Sequence, residues 1–456
     1  MAGIGFELRR LLKRENLLGL LQAYGYAGVI SSGPWVLSII GILIIGVLSY
    51  AIVVPDSRIV QFQVTVTYII AVSLIVTGVF QLSFTRFSAD RLFEKRDDII
   101  LTNFHAVAFV VTLIAGLIGI VAIVFLFPEQ TLLYRIMMVA GFVIMSNIWI
   151  ATIFLSGMKH YREIVWLYFV GYAITVIAAL ALRVLGLEGL LIGFVIGHAV
   201  LLLGMMSLIF RNYSADRFMS FEFFRPGMVH HELIWIGLFY NLGVWVDKFM
   251  FWYTPETSQA VIGPLRASLI YDLPVFLAYL SIIPGMAIFL VRLETDFVEY
   301  YDAFYNAVRA GGSLETIEEY RNGMVETVKL GIYEIVKIQT IAVLFLIVAG
   351  EAILKWLGIS TLYLPLLYID VVAAGLQVVF LGIVNVFFYL DKRRVVLILT
   401  GLFVVLNLVF TAITFKLGPA FYGYGFAFAL LLVVMLGAWQ LSRTMARLEY
   451  ETFMLQ

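Results

Sequence analysis

The stretch FHAVAFVVTLIAGLIGIVAIVFLF, Phe104–Phe127, contains no Asp, Glu, Lys or Arg. At a rise of about 1.5 Å per residue a helix of this length spans about 35 Å, enough to cross the ~30 Å hydrocarbon core of a bilayer. The run is continuously apolar and lacks period-2 alternation, so it reads as a transmembrane helix and not as a barrel strand. Similar runs recur at Ala27–Val54, Phe62–Phe84, Leu132–Leu155, Ile164–Leu182, Leu187–Phe210, Leu233–Tyr253, Ala267–Val291, Ile338–Leu354, Leu362–Leu390, Val395–Phe415 and Phe421–Leu441. The 456 residues are 62% hydrophobic and 13% charged, with a mean hydropathy of +1.01. A soluble core of this size does not need that balance, so the length counts helices and not soluble domains. The fold class is an all-α membrane protein of about twelve transmembrane helices.

Formal net charge is zero, so the information lies in where charges sit. Most lysines and arginines fall in alternate connectors: Arg9 to Arg14, Arg86 to Arg96, Lys159 and Arg162, Arg211 to Arg225, Arg292 to Lys337, Lys392 to Arg394, and Arg443 with Arg447. The other connectors hold Arg58, Arg135, Arg183, Arg266, Lys355 and Lys416. The positive-inside rule then puts both termini in the cytoplasm and supports an even count of spans. Cysteine is absent, which excludes disulfides and thiolate metal sites. The charged first 20 residues do not read as a cleavable signal peptide. Within residues 1–24, Ile4, Leu8, Leu11, Leu12 and Leu18 form an apolar stripe beside Glu7, Arg9, Arg10, Lys13 and Arg14, an interfacial helix that serves as a topology anchor or docks a partner.

The chain reads as doubled. Arg162 to Gly186 and Arg394 to Gly418 cover the same distance from a basic turn to a glycine, and each leads into a glycine-spaced start, Gly189 to Gly193 and Gly423 to Gly425. A fainter echo pairs Gly33-Pro34-Trp35 with Gly243-Val244-Trp245. These matches predict two pseudo-symmetric six-helix lobes, 25–210 and 231–442, a cytoplasmic linker at 211–230 and a tail at 443–456. Because six is even, the repeats are parallel. One cytoplasmic loop has substance, residues 292–337. Phe297, Tyr300, Tyr301, Phe304, Tyr305 and Val308 form one stripe, Gly311-Gly312 breaks it, and Ser313 caps a second helix. The two helices either lie back on the membrane or offer a docking surface, with Tyr301, Tyr305, Glu318 and Glu319 as its candidates.

No phosphate-cradling loop, metal spacing or paired carboxylate is present, so no catalytic, cofactor-binding or metal residue is assigned and the chain reads as a non-enzyme. Ionisable groups inside spans are costly and usually face a bundle interior. Asp247 and Lys248 point roughly 100° apart on a helix, which predicts that they do not pair, and Lys248 is close enough to the surface to snorkel. Asp272 reads as interfacial. Asp370 lies deeper, either lining a cavity or satisfied internally. Uncharged candidates are Ser31, Ser32, Asn147, His198, Asn241, Gln377 and Asn385, each read as interhelical packing or as part of a hydrated path between the lobes. That path is assigned to Ser31, Ser32, Asn147, Asn241, Asp247, Lys248, Asp370, Gln377 and Asn385. Pro34, Pro274, Pro284 and Pro365 are expected to kink spans. Trp35, Tyr240, Trp245 and Trp252 offer flat faces to sugar rings or pack.

The opening Met1-Ala2-Gly3-Ile4-Gly5-Phe6-Glu7-Leu8-Arg9-Arg10-Leu11-Leu12, the Ser31-Ser32-Gly33-Pro34-Trp35 of span one and the whole-chain length resemble the inner-membrane transporter family of the Pel exopolysaccharide system (PelG). That family is related to flippases of the multidrug/oligosaccharidyl-lipid/polysaccharide (MOP) superfamily, so the resemblance implies a MOP-flippase-like fold. It further implies a bacterial inner-membrane exporter, active in biofilm exopolysaccharide biosynthesis, of a polymer rich in N-acetylated amino sugars. The implied partners are a cytoplasmic glycosyltransferase, a cyclic-di-GMP-binding membrane receptor and another membrane subunit, with lipids around them and no nucleic acid. The leading expectation is transport of this polymer from synthase to periplasm. The alternatives are a cation-coupled multidrug or small-solute antiporter with Asp370 and Asp247 as ion sites, and a non-transporting scaffold for the synthase.

Overall fold

Backbone amides in hydrocarbon find no water to bond, and each apolar run accordingly closes its hydrogen bonds within a helix. The computed structural model describes residues 17–50, 52–158, 160–357 and 359–454. The charged part of the expected interfacial helix at 1–24 lies outside the described residues. The helices are α1 (Leu17–Ser49), α2 (Ser57–Phe93), α3 (Asp98–Phe125), α4 (Leu132–Gly157), α5 (Tyr161–Leu182), α6 (Leu187–Asn212), α7 (His231–Tyr253), α8 (Leu269–Leu280), α9 (Ile283–Val291), α10 (Phe297–Arg309), α11 (Leu314–Trp356), α12 (Leu364–Tyr389), α13 (Arg393–Leu417), α14 (Tyr424–Ala446) and α15 (Leu448–Met454). A π-helical turn, Arg292–Asp296, joins α9 to α10. Between α7 and α8 lies a short antiparallel hairpin, β1 (Gln259–Ile262) and β2 (Leu265–Ala267).

Among the described residues nine helices are long and apolar enough to cross a membrane, or eleven if two broken pairs each count as one span. These pairs are the two stretches of α1 and the run from α8 through α10. Of the twelve expected runs, α7 is the one outside this set. Its 23 residues are long enough, but Asn241, Asp247 and Lys248 dilute the apolar run. The chain is a multi-pass membrane protein.

Two local expectations need correction. The loop helix capped by Ser313 and span nine are not separate: α11 is one helix of 43 residues, about 65 Å long and twice the hydrocarbon core. Ser313 does cap it, its Oγ accepting from Thr316 N at 3.2 Å. Gly311, at φ +67°, makes the reversal from α10. Pro365 sits in the first turn of α12, where a missing N–H costs no helical bond, whereas Pro34 and Pro274 lie inside α1 and α8, and Pro284 opens α9 directly after the break that bends span eight by 41°.

The glycines of the two matched turns all have positive φ. Gly186 (φ +70°) turns α5 into α6, and Gly418 (φ +98°) with Gly423 (φ +85°) turns α13 into α14. Gly189, Gly193 and Gly197 form a four-residue ladder on α6 that lets α5 approach closely. A Cβ on Gly193 would lie 2.2 Å from the amide N of Ala179, and one on Gly425 would lie 2.6 Å from that of Thr411. Small residues at this spacing are how helices associate in lipid, where no hydrophobic force drives them together.

By packing, the chain divides into two compact units, Gly33–Leu269 and residues up to Ser32 together with Ile270–Gln456. These boundaries differ from a division at the 211–230 connector. In the first unit α2 packs on α4 and α7, and α5 pairs with α6; in the second α12 packs on α11 and α14, and α13 pairs with α14. Apolar side chains such as Leu117 (66%), Phe125 (75%) and Val348 (84%) remain exposed, as lipid-facing positions must.

Candidate functional site

In the Gly33–Leu269 unit the polar interior is organised by one crossing. Gly78 of α2 and Gly237 of α7 meet backbone to backbone, and a Cβ on Gly237 would stand 2.1 Å from the Gly78 carbonyl oxygen. One turn further, the Asn241 Nδ2 donates to the Leu74 carbonyl at 3.1 Å. Asp247 and Lys248 follow, both buried, and they pair: Lys248 Nζ donates to Asp247 Oδ2 at 3.1 Å and to the Val244 carbonyl at 2.9 Å. The expectation that a 100° separation keeps them apart is thus overturned. The long lysine stem curls back along its own helix, which brings the ammonium onto the neighbouring carboxylate and removes it from any snorkelling position.

The same α2 carries a polar stripe that meets α4 at Ser73. Trp149 Nε1 donates to Ser73 Oγ at 2.9 Å, Thr77 Oγ1 donates to the Ser73 carbonyl at 2.7 Å, and Gln81 Nε2 donates to Thr77 Oγ1 at 2.9 Å. Trp245 and Trp252 are buried, and Trp252 stacks on Tyr68 with centroids 4.5 Å apart, so these two indoles pack and present no free face to a sugar. The Trp35 side chain lies outside the described residues. Asn147 turns towards α3, donating to Thr112 Oγ1 at 2.9 Å, and His198 lies against Phe194.

In the other unit α12 carries polar side chains at Asp370, Gln377, Asn385 and Tyr389. Asp370 is buried beside the left-handed Gly423 at the start of α14, where a Cβ would come 3.0 Å from its Oδ1. A carboxylate there meets the positive end of the helix dipole. Gln377 Oε1 accepts from Tyr279 OH at 2.8 Å. Asn385 Nδ2 and Tyr389 OH both donate to Glu294, at 2.7 and 2.8 Å. Glu294 belongs to the π turn, whose Arg292 makes a bidentate pair with Glu334 (2.6 and 2.8 Å) and bonds Asp296 at 2.8 Å. Ser31 and Ser32 bond carbonyls of their own helix, at Ala27 (2.7 Å) and Gly28 (2.6 Å).

The structure therefore brings together Asp247 and Lys248, sets Asn241 against α2, and spreads Asp370, Gln377 and Asn385 along α12. Among the sites that sequence reading missed are Glu294, Tyr279, Tyr389, Gln339 and the α2 stripe. Gln339 is buried against Gly285 of α9. Of the docking candidates, Tyr301 and Tyr305 are half-buried with centroids 4.7 Å apart, Tyr301 packs on Tyr389, and Glu318 and Glu319 are exposed. Among the described residues no three His, Cys, Asp or Glu gather as metal ligands would.

Comparison with known proteins joins these observations. A family model described as "Putative exopolysaccharide Exporter (EPS-E)", PelG, matches residues 1–453. No curated protein matches the chain. Solved structures do. An outward-facing multidrug resistance MATE family transporter of the MOP superfamily is similar at 15% identity with a TM-score of 0.64, covering 93% of this chain and 96% of that one. A MOP superfamily transporter from Pyrococcus furiosus gives 12% and 0.66 over the same shares, and a MATE in the bent conformation 14% and 0.63 over 98% of both chains. At such identities the likeness establishes the fold.

Proposed function

We propose, from the premise that this chain belongs to the PelG family of exopolysaccharide exporters, that it carries an amino-sugar-rich polymer from a cytoplasmic synthase across the bacterial inner membrane. Family and fold make it a transporter and not an enzyme. The observation that carries the reading is the family match over residues 1–453, joined to polar groups kept within the helices: the buried Asn241, Asp247 and Lys248 on α7 and Asp370 on α12, with Gln377 and Asn385 half-buried on the same α12. Buried polar groups in spans are costly, and they are retained where a route must pass. The hydroxyls, amides and carboxylates there match the hydroxyl and acetamido groups of a sugar chain, which need both donors and acceptors.

A long polymer cannot be enclosed in one occluded cavity, so passage is stepwise through a continuous route. The synthase, a cyclic-di-GMP receptor and a further membrane subunit are its proposed partners, met at α10 and the exposed Glu318 and Glu319 of α11. The basic connectors support a cytoplasmic side for both termini. The test is a deletion strain scored for secreted and retained polysaccharide. Loss of secretion with polymer retained inside is expected, and undiminished secretion refutes the proposal.

A second reading, cation-coupled antiport of small solutes, is favoured by the buried Asp247 and Asp370. Dye efflux abolished by Asp370→Asn while polysaccharide secretion stays intact would select it.

A further inference from the structure

The connector between α6 and α7 is the natural place for a slack loop, but it is fastened. Ser220 N donates to the Thr102 carbonyl at 3.1 Å and Phe223 N to Asn103 Oδ1 at 2.8 Å. His105 Nδ1 lies 2.6 Å from the Phe218 carbonyl, and Arg96 meets Glu222 at 3.5 Å. Phe223 is buried in a nest of rings, with centroids 5.4 Å from Phe84 and 5.5 Å from Phe87.

So anchored, the connector turns other apolar side chains outward: Phe218 is 78% exposed, Phe221 49%, Phe224 39% and Met228 37%. Arg211, Arg217 and Arg225 are exposed among them, with Asp216 as the exposed acidic residue, while Glu222 is held inward by Arg96 and Arg91. Exposed aromatic rings interleaved with arginines are poor solvent surface and good interfacial surface.

Depth decides which surface they meet. The apolar run Phe62–Phe84 of α2 covers about 33 Å, the thickness of the hydrocarbon core. The connector packs where that run ends, with Phe223 on Phe84 and Phe87 and the Phe224 ring 6.4 Å from Phe80. Its level is the boundary between acyl chains and headgroups, on the membrane side that carries most of the basic connectors.

We propose that residues 217–228 are an interfacial strap that seats Phe218, Phe221, Phe224 and Met228 at the acyl boundary and binds anionic phospholipid through Arg217 and Arg225. The strap fixes the level of α2, α6 and α7 in the bilayer whatever the protein transports, so this inference is independent of the exported polymer.

The absence of native cysteine makes the test direct. Phe221→Cys and Phe224→Cys are each labelled with a nitroxide, as is Glu315→Cys on the exposed face of α11, and the proteins are reconstituted in phosphatidylcholine vesicles with phosphatidylglycerol. Collisional relaxation by oxygen should exceed that by a water-soluble nickel chelate at 221 and 224, with the reverse at 315. In parallel, native mass spectrometry of the unlabelled protein titrated with phosphatidylglycerol should show about fivefold weaker retention for each of Arg217→Gln and Arg225→Gln. Nickel-dominated relaxation at both strap positions places the strap in water, open to a protein partner, and overturns the proposal. Lipid-phase labels with unchanged phosphatidylglycerol retention overturn the assignment of the arginines.

Discussion

Asp247 and Lys248 set the energetic scale for single residues. Two opposite charges buried side by side are tolerable, whereas one alone leaves an uncompensated ion in a low-dielectric interior, at a cost of about 3–5 kcal/mol. Lys248→Met should therefore lower the thermal midpoint of the detergent-solubilised protein more than Asp247→Asn with Lys248→Met together. A double variant no more stable than the single one would show that the pair is not coupled. Asp370 depends on its neighbour in a different way. Gly423→Ala meets a left-handed φ of +85°, a Leu366 Cδ1 atom at 2.6 Å and the Asp370 carboxylate at 3.0 Å. A loss of about 1–2 kcal/mol or more is expected, measured as a fall in the same midpoint, and an unchanged midpoint would mean that α14 shifts to accommodate it. That Asp247 and Asp370 are buried was legible in the sequence, because a carboxylate within an apolar run is sheltered from lipid only where protein surrounds it. Their partners were not, since a lysine's five-atom reach ignores the 100° step of the helix on which the expectation rested.

At the scale of elements, the Gly78–Gly237 crossing holds α2 against α7, because no side chain separates the two backbones. Gly237→Leu must push the helices apart and should abolish folded protein, seen as loss of a monodisperse elution peak. Gly116 supplies the control: it lies in α3 with nothing within 4 Å of where a Cβ would stand, so Gly116→Ala should leave the elution unchanged and raise stability by up to about 1 kcal/mol. Equal behaviour of the two substitutions would refute the crossing. Most elements were readable as apolar runs, and the turns at Gly186 and Gly418 from the glycines that make them. The continuity of α11 was not, because an amphipathic pattern above the membrane and an apolar one within it differ in composition but share one backbone. The stripe on α2 was readable and missed: Thr65, Ser73, Thr77, Gln81 and Thr85 recur at multiples of four, a polar face that run-length hydropathy averages away.

For the whole molecule, the question is whether secretion needs the buried polar groups or only the presence of the protein. A scaffold for a synthase needs surfaces such as α10 and the exposed face of α11, and it is indifferent to Asp247, Lys248 and Asp370 in the spans. A transporter is not. Under the proposed function, deleting the gene would remove the passage and the synthase attachment together, whereas charge variants would keep the attachment and alter the passage alone. In a deletion strain, variants Asp370→Asn and Asp247→Asn/Lys248→Met keep side-chain volume nearly constant while removing charge, so they separate the two roles where a bulky replacement would confound them with misfolding. Expressed to equal membrane levels, they should reduce secreted polysaccharide severalfold and leave polymer within the cell, with the synthase still co-purifying. Secretion that tracks only membrane abundance, whatever the charge state of α7 and α12, would assign the chain to assembly instead of passage.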